Sequence, residues 1–178
     1  MALKTISDFK AAFKDGGARS NLFRVRLFFP TAVTDGVNAT IASEFFVKAT
    51  STPSSNINMV EVPFMGRPLK IPSERTFPAW NVTVMAGEDM VIRDAFERWS
   101  NLMNSHEGNI IGAPLDDLFQ DAEIEMLSKS GETIKKYTLK DIFPSEIGSM
   151  ELDFASSDSI AEFPVTLEIH SWSSNTTS

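Results

Sequence analysis

A chain of 178 residues, 42% of them apolar, is long enough to bury one sizeable core and has the size of a single domain. It contains no cysteine, which excludes disulfides and thiolate zinc sites and suits a reducing interior. Sixteen basic against twenty-four acidic residues leave a net charge of −8, which argues against broad adhesion to nucleic acid or anionic membrane.

The opening MALKTISDFKAAFKDGG lacks an uninterrupted apolar run, and no stretch of about 18 apolar residues occurs later, so neither signal peptide nor membrane span is expected. Synthesis in the cytoplasm follows as an expectation. Ser7 to Gly17 predicts a short helix capped by Ser7 or Asp8, with Phe9 and Phe13 on one face and the glycines at its end. So short a helix is expected to dock on the body or on a neighbour.

From Leu22 to Phe29 the residues alternate, with Phe23, Val25, Leu27 and Phe29 on one face and Arg24 and Arg26 on the other, until Pro30 stops the strand. Thr31 to Thr40 reads as polar connector, and a second strand is expected from Phe45 through Val47 to Thr50. Thr50 to Asn56 is loop chemistry. Ile57 to Val62, closed by Pro63, predicts an exposed extended arm whose Ile57, Met59 and Val60 need a partner. Between Arg67 and Phe77, two prolines and a turn at Ser73-Glu74 predict extended but interrupted backbone.

Trp80, Val82 and Val84 then alternate with Asn81, Thr83 and Met85 in a strand ending at Ala86-Gly87. Glu88 and Asp89 suit the positive end of a helix whose Ile92, Ala95, Phe96, Trp99 and Met103 form one stripe. Asn104 to Pro114 is loop. Ala122, Ile124 and Met126 oppose Asp121, Glu123 and Glu125 on another strand, Ser128 to Gly131 turns the chain, and Glu132 to Lys140 returns with Glu125 expected opposite Lys135. Met150, Leu152 and Phe154 alternate with Glu151 and Asp153, and Phe163 to Ile169 alternates with Glu162, Thr166 and Glu168; the two segments are expected to form a hairpin. The polar tail from Ser171 is expected to fray.

These elements predict a mainly β fold: an antiparallel β-sandwich or barrel of about eight strands with one packed α-helix and a short N-terminal helix. Trp80, Phe96 and Trp99 are assigned to its core. Residues 1–178 form one domain, with an N-terminal helix or arm at 1–20, an extended arm or hairpin at 52–66 and a flexible tail at 173–178.

Chemistry is sparse. His106 and His170 are the only histidines, and no second histidine stands at ligand spacing. The row Asp121, Glu123 and Glu125 lies on regular strand, which does not make a calcium loop. No phosphate-binding glycine loop and no nucleophile elbow is present. Hence no catalytic residue, cofactor site or metal site is assigned. Phe23 faces inward and only Phe28 is left beside Arg24 and Arg26, too little for a nucleic-acid platform of aromatics and cations. Arg67, Lys70 and Arg75 sit on an extended segment without an evident intramolecular role and suit a partner's carboxylates; with Phe77 they are assigned to contacts between subunits.

Pro63-Phe64-Met65-Gly66-Arg67, Arg75-Thr76-Phe77, Trp80 to Met85, and the helix beginning at Glu88-Asp89 and ending Phe96-Glu97-Arg98-Trp99 resemble the tail tube proteins of contractile-tailed bacteriophages. Asn21 to Val25, Lys48-Ala49-Thr50 with Pro53, and Phe143-Pro144 with Gly148 agree with that pattern. The longer connector from Thr31 to Ile41 and the tail after Trp172 depart from it. The resemblance implies subunits that join in hexameric rings and stack into a hollow tube. Sheath protein would lie outside, tape-measure protein and then DNA in the lumen, and a baseplate tube-initiator and a tail terminator at the ends. No membrane anchor, cofactor or catalysis is implied.

Six copies of a subunit carrying −8 would give −48 per ring, so lumen carboxylates are expected among Asp121, Glu123, Glu125, Glu151, Asp153, Glu162 and Glu168. Ile57, Met59, Val60, Phe9 and Phe13 join the cations as expected inter-subunit contacts. The related alternative is the tube of a type VI secretion or extracellular contractile injection system. A small β-sandwich enzyme or carbohydrate-binding module is the remote one.

Overall fold

In the computed structural model, residues 5–13, 16–155 and 158–177 are described. In chain order the elements are α1 (Ile6–Ala12), β1 (Phe23–Leu27), α2 (Gly36–Phe46), β2 (Val47–Thr50), β3 (Asn56–Phe64), β4 (Arg67–Thr76), β5 (Trp80–Met85), α3 (Val91–Met103), α4 (Leu115–Leu118), β6 (Gln120–Leu127), β7 (Thr133–Ile147), β8 (Glu162–Glu168) and β9 (Ser171–Ser174).

The 15-residue strand β7 decides the architecture. Thr133 to Ile142 pairs with β6 and Phe143 to Ile147 pairs with β8, while Asp141 between them adopts φ 54. A left-handed residue opposite a register shift is the bulge by which a strand bends from one layer into another. The sheet runs β1-β6-β7-β8-β5-β2, with β9 added beside β7, and every pairing is antiparallel. One layer is thus β1, β6, β9 and the first part of β7, and the other is β2, β5, β8 and the rest of β7.

Alternation in the sequence fills the space between the layers. Val25, Leu27, Ala122, Ile124 and Leu139 come from the first layer and Val82, Val84, Phe163, Val165 and Leu167 from the second, none more than 2% exposed. The apolar stripe of α3 closes the core with Ile92, Ala95, Phe96 and Trp99. Phe29 meets Phe96 and Trp99 edge-on, with ring centroids 5.0 and 5.7 Å apart. Trp80, Phe96 and Trp99 are buried, and both indoles keep a hydrogen bond: Trp80 Nε1 donates to Ser51 O and Trp99 Nε1 to Leu118 O, each at 2.8 Å.

Five expectations require correction. The stretch read as connector and second strand is largely the helix α2, which leaves only Val47–Thr50 as strand. Its buried side is made of Gly36, Ala39 and Ser43, small residues that bring the helix close to β1 and α3 and carry no large apolar signal. Met150 to Phe154 is not a strand, and Leu152 and Phe154 stand in solvent. The edge of β8 expected to pair with it is already occupied by the end of β7, Phe143 to Ile147.

The tail is not frayed from Ser171: β9 pairs Leu139 with Trp172, and Trp172 packs edge-on against Tyr137 at 5.7 Å. Glu125 stands opposite Lys136 rather than Lys135, because the register shifts between Met126 and Leu127. The cap of α1 is Thr5, not Ser7 or Asp8, and Thr5 and Asp8 exchange hydrogen bonds in a capping box. The Thr5 amide, and then its hydroxyl, hold the Asp8 carboxyl below its ordinary pKa.

Gly148 closes β7 against β8. Its amide donates to Pro164 O at 2.8 Å, its carbonyl accepts from Arg93 Nη1 at 2.6 Å, and an added Cβ would stand 2.5 Å from Pro164 Cγ and 2.9 Å from Pro164 O. Gly148→Ala is expected to destabilise the subunit by about 1–3 kcal/mol through overpacking. The check is the urea midpoint by circular dichroism, and an unchanged midpoint would contradict the close approach.

Candidate functional site

The surface that stands out is the ribbon β3–β4. Its loop is Met65-Gly66, at φ 44 and φ 81, the left-handed pair that a two-residue hairpin requires. The turn therefore lies there and not at Ser73-Glu74. Pro68 and Pro72 are tolerated because each strand of a two-stranded ribbon has one unpaired edge.

Pairing of Val60 with Ile71, Val62 with Leu69 and Phe64 with Arg67 sets Val60, Val62, Phe64, Leu69 and Ile71 on one face, each 42–68% exposed. The other face carries Glu61 and Lys70 between prolines. Lys70 Nζ lies 3.4 Å from Glu61 Oε1, and Arg75 Nη1 donates to Ser55 Oγ at 2.8 Å, so these two cations do have partners within the ribbon. That corrects the view that the segment lacks intramolecular contacts. Arg67 makes no ion pair among the described residues.

Ile57 and Met59 are more than half exposed, whereas Phe77 is half-buried against Trp172, with ring centroids 6.4 Å apart, and roots the ribbon. Every residue of β3 and β4 is exposed. A lone two-stranded ribbon is marginal in water, and a continuous exposed apolar face marks a contact surface.

Two further apolar surfaces stand free. On α1 no side chain is buried, and Phe9 stacks on Phe13 at 5.4 Å. On α2 the outward residues Val37, Ile41 and Phe45 are exposed at four-residue spacing. Val37 also borders an open groove of about 500 Å³, lined with it by Phe28, Phe29, Thr40, Phe119, Gln120 and Asp121. Sequence reasoning missed this second surface, although the spacing of Val37, Ile41 and Phe45 was the signal that could have found it.

The predicted acidic row is not a bare acidic face. Strand pairing sets Arg24 opposite Glu125 and Arg26 opposite Glu123. Arg26 Nε reaches Glu44 Oε1 at 2.7 Å, Lys136 Nζ reaches Glu123 Oε1 at 2.8 Å, and Lys140 pairs with Asp121. Hydrogen bonds to Glu44 and to Asp121 hold Arg26 and Lys140 above their ordinary pKa values. Glu162 pairs with Lys48 at the end of β8. Glu151 and Asp153 lie exposed in the loop before β8, and Glu168 is half-buried at the strand's end; none of these three has an ion pair among the described residues.

His106 and His170 are exposed, with His106 Nδ1 3.0 Å from Asn101 Oδ1. Among the described residues no three of His, Asp and Glu converge as a metal site. No helix of the described residues is long and apolar enough to cross a membrane.

The family model described as phage tail tube protein matches residues 18–175. This chain belongs to that family. The tail tube protein gp19 of Enterobacteria phage T4 is 30% identical to this tail tube protein over 169 residues, covering 94% of this chain and 98% of that one. In solved structures the fold recurs in the sheath/tube terminator of the PVC extracellular contractile injection system, with TM-score 0.65 and 16% identity over 89% of this chain and 96% of that chain. It recurs again in the extended sheath-tube complex of that system, with TM-score 0.59 and 16% identity over 97% and 99% of the two chains. The ribbon, α2 and both layers of the tail tube protein lie within the matched stretch, while α1 precedes it.

Proposed function

We propose that this tail tube protein is a structural subunit, six copies of which form a ring, and that stacked rings make the hollow tube of a contractile tail. The observation that carries the proposal is the ribbon β3–β4, which is exposed along its whole length and apolar on one face. A monomer leaves that face in water, and a tube covers it. Arg67, Lys70, Arg75, Phe77, Ile57, Met59 and Val60 then mediate contacts between subunits, as do Phe9 and Phe13.

A head-to-tail contact generates rings or stacks according to whether its rotation closes. The tube serves as the conduit for DNA into the host, with sheath outside, tape-measure protein and then DNA inside, and initiator and terminator proteins at the ends. Neither catalysis nor a cofactor belongs to this role. Of the seven lumen candidates, Glu151, Asp153 and Glu168 have no ion pair among the described residues, and they repel DNA more strongly than Asp121, Glu123, Glu125 or Glu162, whose charge is compensated. The tube of an extracellular contractile injection system shares the fold at 16% identity, whereas a phage tail tube protein reaches 30%.

Negative-stain microscopy of the purified protein at rising concentration tests the proposal. Rings or tubes of uniform bore are expected, and monomers at every concentration would refute it.

A further inference from the structure

Helix α2 is apolar on both sides. Gly36, Ala39 and Ser43 face the body, Val37, Ile41 and Phe45 face outward, and its only charge, Glu44, is held by Arg24 and Arg26. A helix that is packed on one side and still shows a stripe of large apolar side chains on the other presents a contact surface. Its outer stripe is therefore covered in the assembled protein, and the ionic partners already taken leave little for a charged ligand to bind.

Helix α1 is the matching piece. It carries Ile6, Phe9 and Phe13 in one exposed row and buries nothing on its own subunit. A helix of two turns does not persist in water without docking. The rows agree in length: Ile6 to Phe13 spans about 10 Å and Val37 to Phe45 about 12 Å at the helical rise.

The root of α1 and the groove beside α2 sit at opposite ends of β1, while α2 itself runs along the strand, with Ser43 bonded to Leu27 and Glu44 beside Arg24. An added Cβ on Gly16 would stand 3.5 Å from Lys129 Nζ, which places the root of α1 beside the Ser128–Gly131 turn, and Leu127 N donates to Leu22 O at that end. The groove beside α2 begins at the other end, where Phe28 N donates to Asp121 O. Leu22 to Phe28 is about 20 Å of strand. Phe13 is three residues from Gly16, a reach of about 11 Å at most, and its ring already lies against Gly17. Phe13 and the groove of the same copy therefore do not meet.

We propose that α1 of one copy packs on the outer face of α2 and the adjoining groove of a second copy, joining subunits head to tail along the stack. The inference rests on the tube reading for the presence of neighbours. Such a contact between different surfaces of the subunit is heterologous, and it extends a stack where its rotation does not close. Because it is apolar, it is insensitive to salt.

The absence of native cysteine makes the test clean. Subunits carrying Phe9→Cys are mixed with subunits carrying Ile41→Cys, assembled, inspected by microscopy and oxidised. Each copy then holds one thiol, so a covalent dimer of mixed mass, read by mass spectrometry, reports contact between copies. In an equimolar mixture about half of the Phe9→Cys subunits face an Ile41→Cys neighbour. That dimer is therefore expected to take up about half of the Phe9→Cys subunit, several times more than a control mixture with Leu152→Cys.

Tubes with no mixed dimer above the control would overturn the proposal and leave the tube reading standing. So would preferential cross-linking of Phe9→Cys to a Val62→Cys subunit, which would assign α1 to the ribbon instead. If the parent protein forms no tubes, both readings fall. As a second readout, Ile41→Asp with Phe45→Asp is expected to keep the parental circular dichroism and to stop assembly at single rings; long tubes from this variant would also overturn it.

Discussion

Trp99→Ala is expected to remove most of the stability of the subunit. Trp99 is fully buried, stacks on Phe96 at 6.2 Å and meets Phe29 edge-on. Truncating a buried tryptophan costs about 3–5 kcal/mol. Losing the indole donor leaves the carbonyl of Leu118 without its partner, for a further ~1–3 kcal/mol. Against a total of roughly 5–15 kcal/mol for a domain, the variant is expected to be largely unfolded or close to it. Urea denaturation followed by circular dichroism measures this, and a loss below about 1 kcal/mol would contradict the assignment of Trp99 to the centre of the core. Trp99→Phe, which keeps most of the ring contacts, is expected to lie between the two.

Val62→Lys combined with Leu69→Glu is expected to leave the subunit folded and to abolish assembly. The two positions are cross-strand partners on the apolar face of the ribbon. An opposite-charge pair keeps the strands together, at about 0.2–1 kcal/mol of attraction, while making that face polar. The urea midpoint is expected to move by no more than the equivalent of ~0.5 kcal/mol, the usual range for exposed sites. Rings and tubes are expected to be absent where the parent forms them, and normal tubes would remove the ribbon from the interface. Arg75→Glu is expected to act in the same direction with a smaller effect, because Arg75 bonds to Ser55 at the base of the ribbon and not on its apolar face.

Strands with one large apolar face were readable residue by residue. β5 begins on Trp80, β1 turns Val25 and Leu27 inward, and β6 does the same with Ala122 and Ile124. The helix α3 was readable because its stripe is built of large side chains. Where the buried side is small, as at Gly36, Ala39 and Ser43 of α2, hydrophobic period carries no signal although the packing is as close. Alternation was also insufficient alone. Met150 to Phe154 alternates as well as β8 does, yet Phe143 to Ile147 takes the place beside β8 that it would have filled. For the candidate site, exposure of Ile57, Met59 and Val60 was readable from their extended, proline-bounded setting. Pairing of Lys70 with Glu61 was not, because it depends on a turn at Met65-Gly66, whereas the proline and Ser73-Glu74 pattern points to a turn further along.

What the sequence by itself determined is the set of surfaces each segment must bury: alternation and helical period are local properties, written in neighbouring residues. That sufficed for a mainly β fold around Trp80, Phe96 and Trp99 and for an exposed extended arm. Only the tertiary structure decided which segments face one another. The bend of β7 at Asp141 and the salt bridges that set Arg24 and Arg26 against Glu125 and Glu123 depend on register between distant strands. Register is a long-range property, set when many faces are buried at once, and no local pattern specifies it.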